Sequence, residues 1–332
     1  MKLIAETAWH HEGDFMFMKN LVSEISKKSN SDIVKIHITL NFDEYMQNDH
    51  PLYKNLKAML FSKSQWQELI KIIRENNKEL MLLLNDTEAI DFGISLNPEY
   101  IEIHSVCLND IFILKKLKQK ISKNTKIVLG IGGTSIEEIT NAVNFLKHKN
   151  TILMFGFQNY PTIFEDVNLN KVRKLMKLFP DFEYGYADHT AWDSEYNELI
   201  TLLGAASNMS YIEKHVTTNY GENRIDWTAA ISINMFNSLS KKINILKKLN
   251  GSGLLDMNEG EKNYSIFGPM KKAAVFKKNI KKGSNLSEEM IKFLRTKEVS
   301  DMSQLDIHNS IGKKLIKDVK KGTLLMNKYL KN

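Results

Sequence analysis

The chain has 332 residues, 42% hydrophobic and 26% charged, with a formal net charge of +7. These proportions suit a soluble globular protein with room for a barrel-sized domain and a small appendage. They exclude a membrane span, since no apolar run is long enough, and an internal disulfide, since Cys107 is the only cysteine.

The positive charge does not read as a nucleic-acid surface. Only Arg74, Arg173, Arg224 and Arg295 are arginine, the side chain that bidentate base and phosphate recognition favours. The lysines are scattered over helix faces, which leaves a small anionic substrate compatible. The opening Leu3-Ile4-Ala5 lacks the basic start and apolar core of a signal peptide, so a cytoplasmic setting is expected. Cys107 has no local base and reads as inert.

Short β-branched runs predict strands over Leu3–Glu6, Ile33–Thr39, Leu80–Leu84, Tyr100–His104, Lys126–Ile131, Thr151–Phe155, Phe182–Tyr186 and Tyr211–His215. Amphipathic patterns between and after them predict helices over Phe15–Ser29, Ser64–Asn76, Asp110–Ser122, Ser135–His148, Leu169–Phe179, Asp193–Ala206 and Asn234–Leu249. Thr87–Phe92 has room for a turn or two. Strands alternating with helices at this spacing indicate parallel βαβ units, and eight of them predict an α/β fold of TIM-barrel type. No glycine-rich dinucleotide fingerprint follows the first strand, which argues against a doubly wound sheet.

Residues 1–250 are therefore expected to form the barrel. Residues 251–270, punctuated by Gly251-Ser252-Gly253 and Phe267-Gly268-Pro269, read as a linker. Residues 271–332 read as a small β-rich domain with an internal repeat: Asn279-Ile280-Lys281-Lys282-Gly283 resembles Asp318-Val319-Lys320-Lys321-Gly322. So small a unit buries a marginal core alone and is expected to dock on something.

In a TIM barrel the reactive groups sit at the C-terminal ends of the strands. Glu6 ends the first, Lys35 lies in the second, Asp188 and His189 follow the seventh, and Lys214 and His215 end the eighth. A buried ion pair accounts for Glu6 or Lys35 taken singly, but poorly for all of them together. Two histidines from adjacent strands can converge on one ion, and the oxygen-rich remainder favours manganese or magnesium. The plainer alternative is a pair of satisfied histidines that cap strands. His10 and His11 lie in the first loop on the same side. His37, His50, His104, His148 and His308 show no partner pattern and read as structural. Lys126 begins the fifth strand, and Gly130-Ile131-Gly132-Gly133 at its end offers backbone N–H groups near a helix start.

Together these residues resemble the sialic acid synthase (N-acetylneuraminate synthase) family. Ile4-Ala5-Glu6 through Gly13-Asp14 is similar to the family's opening, and Ile33-Val34-Lys35-Ile36 to its Ala-Val-Lys-Phe. Tyr160-Pro161, Asp188-His189-Thr190 and Glu213-Lys214-His215 match directly, and Asp226 falls where the family has Gly-Pro-Asp. The tail resembles the family's antifreeze-like (SAF) domain through Ile280–Gly283, Ile311–Lys314 and Lys320–Gly322.

The resemblance implies condensation of phosphoenolpyruvate with an N-acylated aldose, N-acetylmannosamine-like, to a nonulosonic acid and phosphate. It implies a divalent metal, manganese first and magnesium second, on His189 and His215. Glu6, Lys35 and Asp188 join these as catalytic residues, with Lys126, Gln158, Tyr160, Lys214, Asp226 and Arg295 binding substrate. A domain-swapped homodimer is implied, in which Arg295 reaches the partner's sugar.

The chain departs from the pattern at Gly130–Gly133 and Ala187, where hydroxyls are lost. It also departs at Glu102, where an acid replaces a lysine, and at Gln158 and Thr296-Lys297. The lost hydroxyls weaken the phosphate half of the site more than the sugar and metal half. A different donor or reaction, or a sugar-binding paralogue without turnover, are the alternatives that these departures raise.

Overall fold

Two-residue alternation along the strands settles which side chains face the inside of the barrel. The computed structural model describes residues 1–156 and 159–331. The strands are β1 (Lys2–Glu6), β2 (Ile33–Ile38), β3 (Glu79–Leu84), β4 (Tyr100–Ile103), β5 (Lys126–Gly130), β6 (Thr151–Phe155), β7 (Glu183–Ala187) and β8 (Tyr211–Thr217). They are all parallel and pair in chain order, and β1 also pairs with β8 to close the barrel. A ninth strand, β9 (Ile231–Ser232), pairs parallel with the last two residues of β8.

The helices between them are α1 (Phe15–Lys28), α2 (Phe42–Tyr45), α3 (Tyr53–Lys57), α4 (Lys63–Glu75), α5 (Thr87–Ser95), α6 (Ile111–Lys120), α7 (Ile136–Leu146), α8 (Phe164–Val167), α9 (Leu169–Leu178) and α10 (Asn197–Ala206). The helix α11 (Ile233–Asn250) closes the unit. Three departures from expectation stand out. α5 is nine residues long rather than a turn or two, because the Asp86 side chain accepts from Ala89 N and starts it firmly. α2 and α3 occupy a stretch where no element is predicted; both are too short to show a period. β7 ends at Ala187, one residue later than expected.

Residues of one parity point inward: Ile4, Ile33, Met81, Tyr100, Val128, Ile152, Met154, Ala187 and Tyr211 form one buried cluster. Those of the other parity, such as Ala5, Val34, Leu82, Ile101, Leu129 and Ile212, pack against the helices in a second, larger core. Burial of this outer layer supplies most of the stabilisation, at about 25 cal/mol for each Å² of apolar surface removed from water. The N-terminal end of the barrel is closed by polar groups. Lys2 pairs with Glu79 and Tyr100, and Lys126 with Glu183 and the Tyr211 hydroxyl.

A second compact unit spans Ser252–Asn332. It holds α12 (Glu259–Tyr264), the antiparallel pair β10 (Ala273–Phe276) and β11 (Ile291–Leu294), and α13 (Gln304–His308). The repeated phrase is its organising device. Ile280 and Val319 exchange both backbone hydrogen bonds, at 2.9 and 3.0 Å. Asn279 and Asp318, at corresponding positions, each accept from a backbone N–H of the other copy's lysine pair, Lys321 and Lys282. Gly283 and Gly322 both sit at left-handed φ, +87° and +85°, which turns the chain after each copy. Phe276, Ile280, Leu286, Leu315, Val319 and Leu325 make its core. Among the described residues no helix is long and apolar enough to cross a membrane.

Candidate active site

The inward parity places Glu6 on β1, Lys35 and His37 on β2, Glu102 and His104 on β4 and just past it, and Glu213 and His215 on β8. His189 follows β7. All of them line one pocket at the C-terminal mouth of the barrel, together with Trp9, Asn85, Ser105, Tyr160 and Asp226. Register explains the convergence, since Glu6 lies directly opposite Lys35 on one side and His215 on the other.

Glu6, His189 and His215 form a group whose ligand atoms all lie within 4.8 Å of one another. The two Nε2 atoms are 3.2 Å apart, and His215 Nε2 is 3.4 Å from Glu6 Oε2. His189 Nδ1 lies 3.1 Å from the Ala187 carbonyl, which fixes the ring and turns Nε2 into the pocket. Burial and the neighbouring His215 push His189 down to about 3, so its imidazole is neutral at physiological pH and can donate a lone pair. One carboxylate and two imidazoles, with other positions open, fit a divalent cation.

Beside this group, the Lys35 ammonium is enclosed by three glutamates: Glu102 at 2.7 Å, Glu213 at 3.0 Å and Glu6 at 3.3 Å, all side chains almost wholly buried. Burial would raise the Glu6 carboxyl, but Lys35, His215 and His37 outweigh it and hold Glu6 well below the usual range. Burial and the charge of Glu6 push Glu213 well above it. Burial also raises Glu102, which Lys35 offsets only in part. The cluster therefore holds Lys35 as a cation and Glu6 as an anion, while Glu102 and Glu213 are both shifted toward taking up a proton.

The wall opposite is built by lacing the first loop to the segment before β9. Trp9 N donates to Asp226 Oδ2 at 3.1 Å, His10 Nδ1 lies 2.6 Å from the Ile225 carbonyl, and Arg224 donates to the His10 carbonyl at 3.0 Å. The Tyr160 hydroxyl donates to the Asp226 carbonyl. Asp226 sits at a left-handed φ of +63° within this lacing, which presents its carboxylate at the pocket.

Of the site residues expected from sequence, Glu6, Lys35, His189, His215, Tyr160 and Asp226 are brought together here. Asp188 and Lys214 are not. Strand parity turns them outward, where Asp188 Oδ2 meets Lys214 Nζ at 3.0 Å and accepts from the Thr201 hydroxyl, while Lys214 also donates to Asn197 on α10. They clamp β7 and β8 to that helix. Lys126 lies at the other end of the barrel, engaged by Glu183 and Tyr211. Gln158 falls outside the described residues. Arg295 donates to the Pro269 carbonyl within its own unit.

Four pocket residues were not among the site residues expected from sequence: His37 and His104, which read as structural, Glu102, noted only as a departure from the family pattern, and Glu213, noted only within its motif. The signal was present in the two-residue period. His37 follows Lys35, His104 follows Glu102, and Glu213 precedes His215 at spacing two, so each shares a face with its neighbour.

The NeuB family model matches residues 24–254, and the SAF domain model matches residues 271–331. The chain is 25% identical to the N,N'-diacetyllegionaminic acid synthase of Legionella pneumophila, covering 99% of this chain and 94% of that protein. It is 28% identical to the synthase of the same name from Campylobacter jejuni, over 97% and 98%. Among solved structures, N-acetylneuraminic acid synthetase from Leptospira borgpetersenii superposes with a TM-score of 0.70 at 23% identity, over 79% of this chain and 88% of that one; this likeness shows the fold.

Proposed function

The chain belongs to the NeuB family and is a sialic acid synthase-type enzyme; from that premise we propose that it joins a three-carbon pyruvyl unit to the aldehyde of an open-chain N-acylated aldose. The product is a nonulosonic, sialic-acid-like acid. The observation that carries this reading is the meeting of Glu6, His189 and His215 at the floor of a pocket walled by Tyr160 and Asp226.

Glu6, His189 and His215 would hold a divalent cation, manganese in first place and magnesium in second. Such a cation supplies polarisation of a sugar carbonyl. The chain's own groups orient the sugar. Asp226 accepts hydrogen bonds from sugar hydroxyls, Tyr160 supports the Asp226 backbone, and Trp9 offers an apolar face. Lys35 provides fixed positive charge beside the reacting carbons, where preorganised electrostatics act most strongly.

The donor that the family resemblance implies is phosphoenolpyruvate, whose phosphate would leave. A second reading, the same sugar site with a different donor, is favoured by Glu102 lying 2.7 Å from the Lys35 ammonium. A homodimer, with Arg295 serving the partner's sugar site, and a cytoplasmic setting belong to this proposal. The dimer is expected at twice the 38.3 kDa of the chain in solution, and a monomer at micromolar concentration would remove Arg295 from the site.

The test is formation of a 2-keto-3-deoxy acid from an aldose panel with manganese, comparing the wild type with His189→Ala. The panel holds N-acetylmannosamine, its 6-phosphate, and diacetylated bacillosamine- and altrosamine-type sugars. Product that requires one sugar and is lost in the variant supports the reading. No product with any sugar and phosphoenolpyruvate would count against it.

A further inference from the structure

An imidazole that holds a cation through one nitrogen must carry its proton on the other. His215 turns Nε2 toward the cation group, 3.2 Å from His189 Nε2 and 3.4 Å from Glu6 Oε2. Its proton therefore belongs on Nδ1. For His189 the matching nitrogen has the Ala187 carbonyl at 3.1 Å. For His215 it is buried, and among the described residues it has no hydrogen-bond partner. A ligand imidazole ordinarily donates this N–H to an acceptor that fixes its tautomer and its orientation.

A neighbouring ring has the complementary need. His10 is 1% exposed and stands edge-on to His215, with centroids 6.1 Å apart and an interplanar angle of 88°. The Ile225 carbonyl, 2.6 Å from His10 Nδ1, can only accept, so Nδ1 carries the proton. Nε2 is left as a bare lone pair, buried and without a hydrogen-bond partner among the described residues. Burial and the neighbouring His215 push His10 down to about 4, so the ring is neutral at physiological pH. A donor lacking an acceptor and an acceptor lacking a donor thus occupy adjacent rings.

The loop that carries His10 is held in a demanding shape. Ala8 and Glu12, on either side of it, both sit at a left-handed φ of +48°. Residues with a Cβ adopt that conformation only where their surroundings impose it. The bonds from Trp9 N to Asp226 and from Arg224 to the His10 carbonyl supply the restraint.

We infer that His10 is a positioning residue of the cation site: its Nε2 accepts from His215 Nδ1–H and so aims His215 Nε2 at the ion. This rests on the cation reading above and adds to it. Two imidazoles joined by such a bond have centroids about 5 Å apart, so the rings close by about 1 Å as the ion draws His215 into place. Through Ile225 the same imidazole ties the cation floor to the wall that bears Asp226.

Two substitutions separate the nitrogens of His10. Asparagine puts its amide where Nδ1 stands, so His10→Asn keeps a donor for the Ile225 carbonyl and removes the acceptor for His215. Glutamine reaches the Nε2 position, so His10→Gln restores an acceptor there. Calorimetry measures manganese binding to each full-length protein, and melting curves without metal show whether each is folded. Binding weakened about 10–100-fold is expected in His10→Asn, the usual effect of losing such a partner, with most of it recovered in His10→Gln. A merely structural role would lower the melting midpoint of His10→Asn and leave its manganese affinity at the wild-type value, and that result overturns the inference. Equal weakening in both variants overturns it as well.

Long-range proton–nitrogen spectra of the cation-free wild type test the pair without substitution. His10 should be protonated on Nδ1 alone, and His215 should carry a proton on Nδ1. A proton on His10 Nε2, or none on His215 Nδ1, sinks the proposal. If the wild type binds no manganese, the cation reading fails, and the tautomers alone decide whether His10 orients His215. They decide it equally where a variant fails to fold.

Discussion

Asp188 Oδ2 and Lys214 Nζ lie 3.0 Å apart on the outer face of the barrel, with side chains 1% and 0% exposed. Both stand in motifs that resemble an active site, yet strand parity turns them away from it. Burial raises the Asp188 carboxyl, but Lys214 and the hydroxyls of Thr190 and Thr201 outweigh burial and keep it ionised. Removing one partner of such a pair leaves a buried uncompensated charge. Lys214→Met is expected to cost about 3–5 kcal/mol of stability, read from denaturant midpoints. Asp188→Asn combined with it should recover part of that loss, and cation affinity of the folded fraction should be unchanged. A Lys214→Met protein of normal stability with lost turnover would return Lys214 to the substrate site.

The Glu6–His189–His215 group makes a prediction that needs no substrate. Manganese at a hundredfold excess over its dissociation constant should stabilise the fold by about 2.7 kcal/mol. For a unit of this size that is a rise of about 5–10 °C in the melting midpoint. His215→Ala should abolish the rise. Removing the metal with a chelator should restore the lower midpoint in the wild type alone. An equal rise in a His189→Ala/His215→Ala protein would place the cation elsewhere.

The fold was legible because its signals are local and periodic. Eight β-branched runs separated by helical patterns leave little room for another architecture, and the repeated Lys-Lys-Gly phrases announced the symmetry of the second unit. The lining of the pocket was legible in part. Glu6, Lys35, His189 and His215 could be expected to share one pocket, which they line, because motif and strand end coincide. Asp188, Lys214 and Lys126 were misplaced because a motif names residues without saying which face each occupies. Counting parity from Glu6 and Lys35 assigns His37, Glu102, His104 and Glu213 to the pocket, and sends Lys214 outward. Which end of a strand a residue occupies decides the rest: Lys126 starts β5, so it closes the barrel floor. What pattern could not give was the Lys35 cluster, since three glutamates from three strands meet only through barrel closure.

His11 gives the expected pH dependence. It is buried against Trp9, Phe61 and Trp66 and accepts from Gly13 N. Burial, with smaller contributions from His37 and His10, pushes it down to about 3. Its folded value lies below the unfolded value of about 6.5, so the unfolded chain binds the extra proton between these limits. Stability from this residue is fully present above about pH 6.5 and declines as pH falls toward 3, by at most about 1.4 kcal/mol per pH unit. His11→Gln, which keeps an acceptor for Gly13 N, should flatten the stability profile between pH 4 and 6 by about one proton's slope. An unchanged profile would mean that His11 protonates freely in the fold.

Gly156 ties backbone geometry to the cation site. It follows β6 at a φ of +108°, and a Cβ there would stand 2.3 Å from the Ala187 carbonyl oxygen. That carbonyl is the group 3.1 Å from His189 Nδ1. Gly156→Ala must therefore strain its own backbone, at about 1–3 kcal/mol, and also push the carbonyl that orients a cation ligand. Lower stability together with weaker manganese affinity is expected. Gly204→Ala is the matched control. Its Cβ would meet the Tyr186 ring at 2.3 Å, on the outer face where α10 packs. Overpacking there costs about 1–3 kcal/mol without touching His189, so cation affinity should survive. If both variants lose manganese binding to the same degree, general loosening of the barrel is responsible. If Gly156→Ala alone does so, the path from β6 through the Ala187 carbonyl to the imidazole is what holds the site in shape.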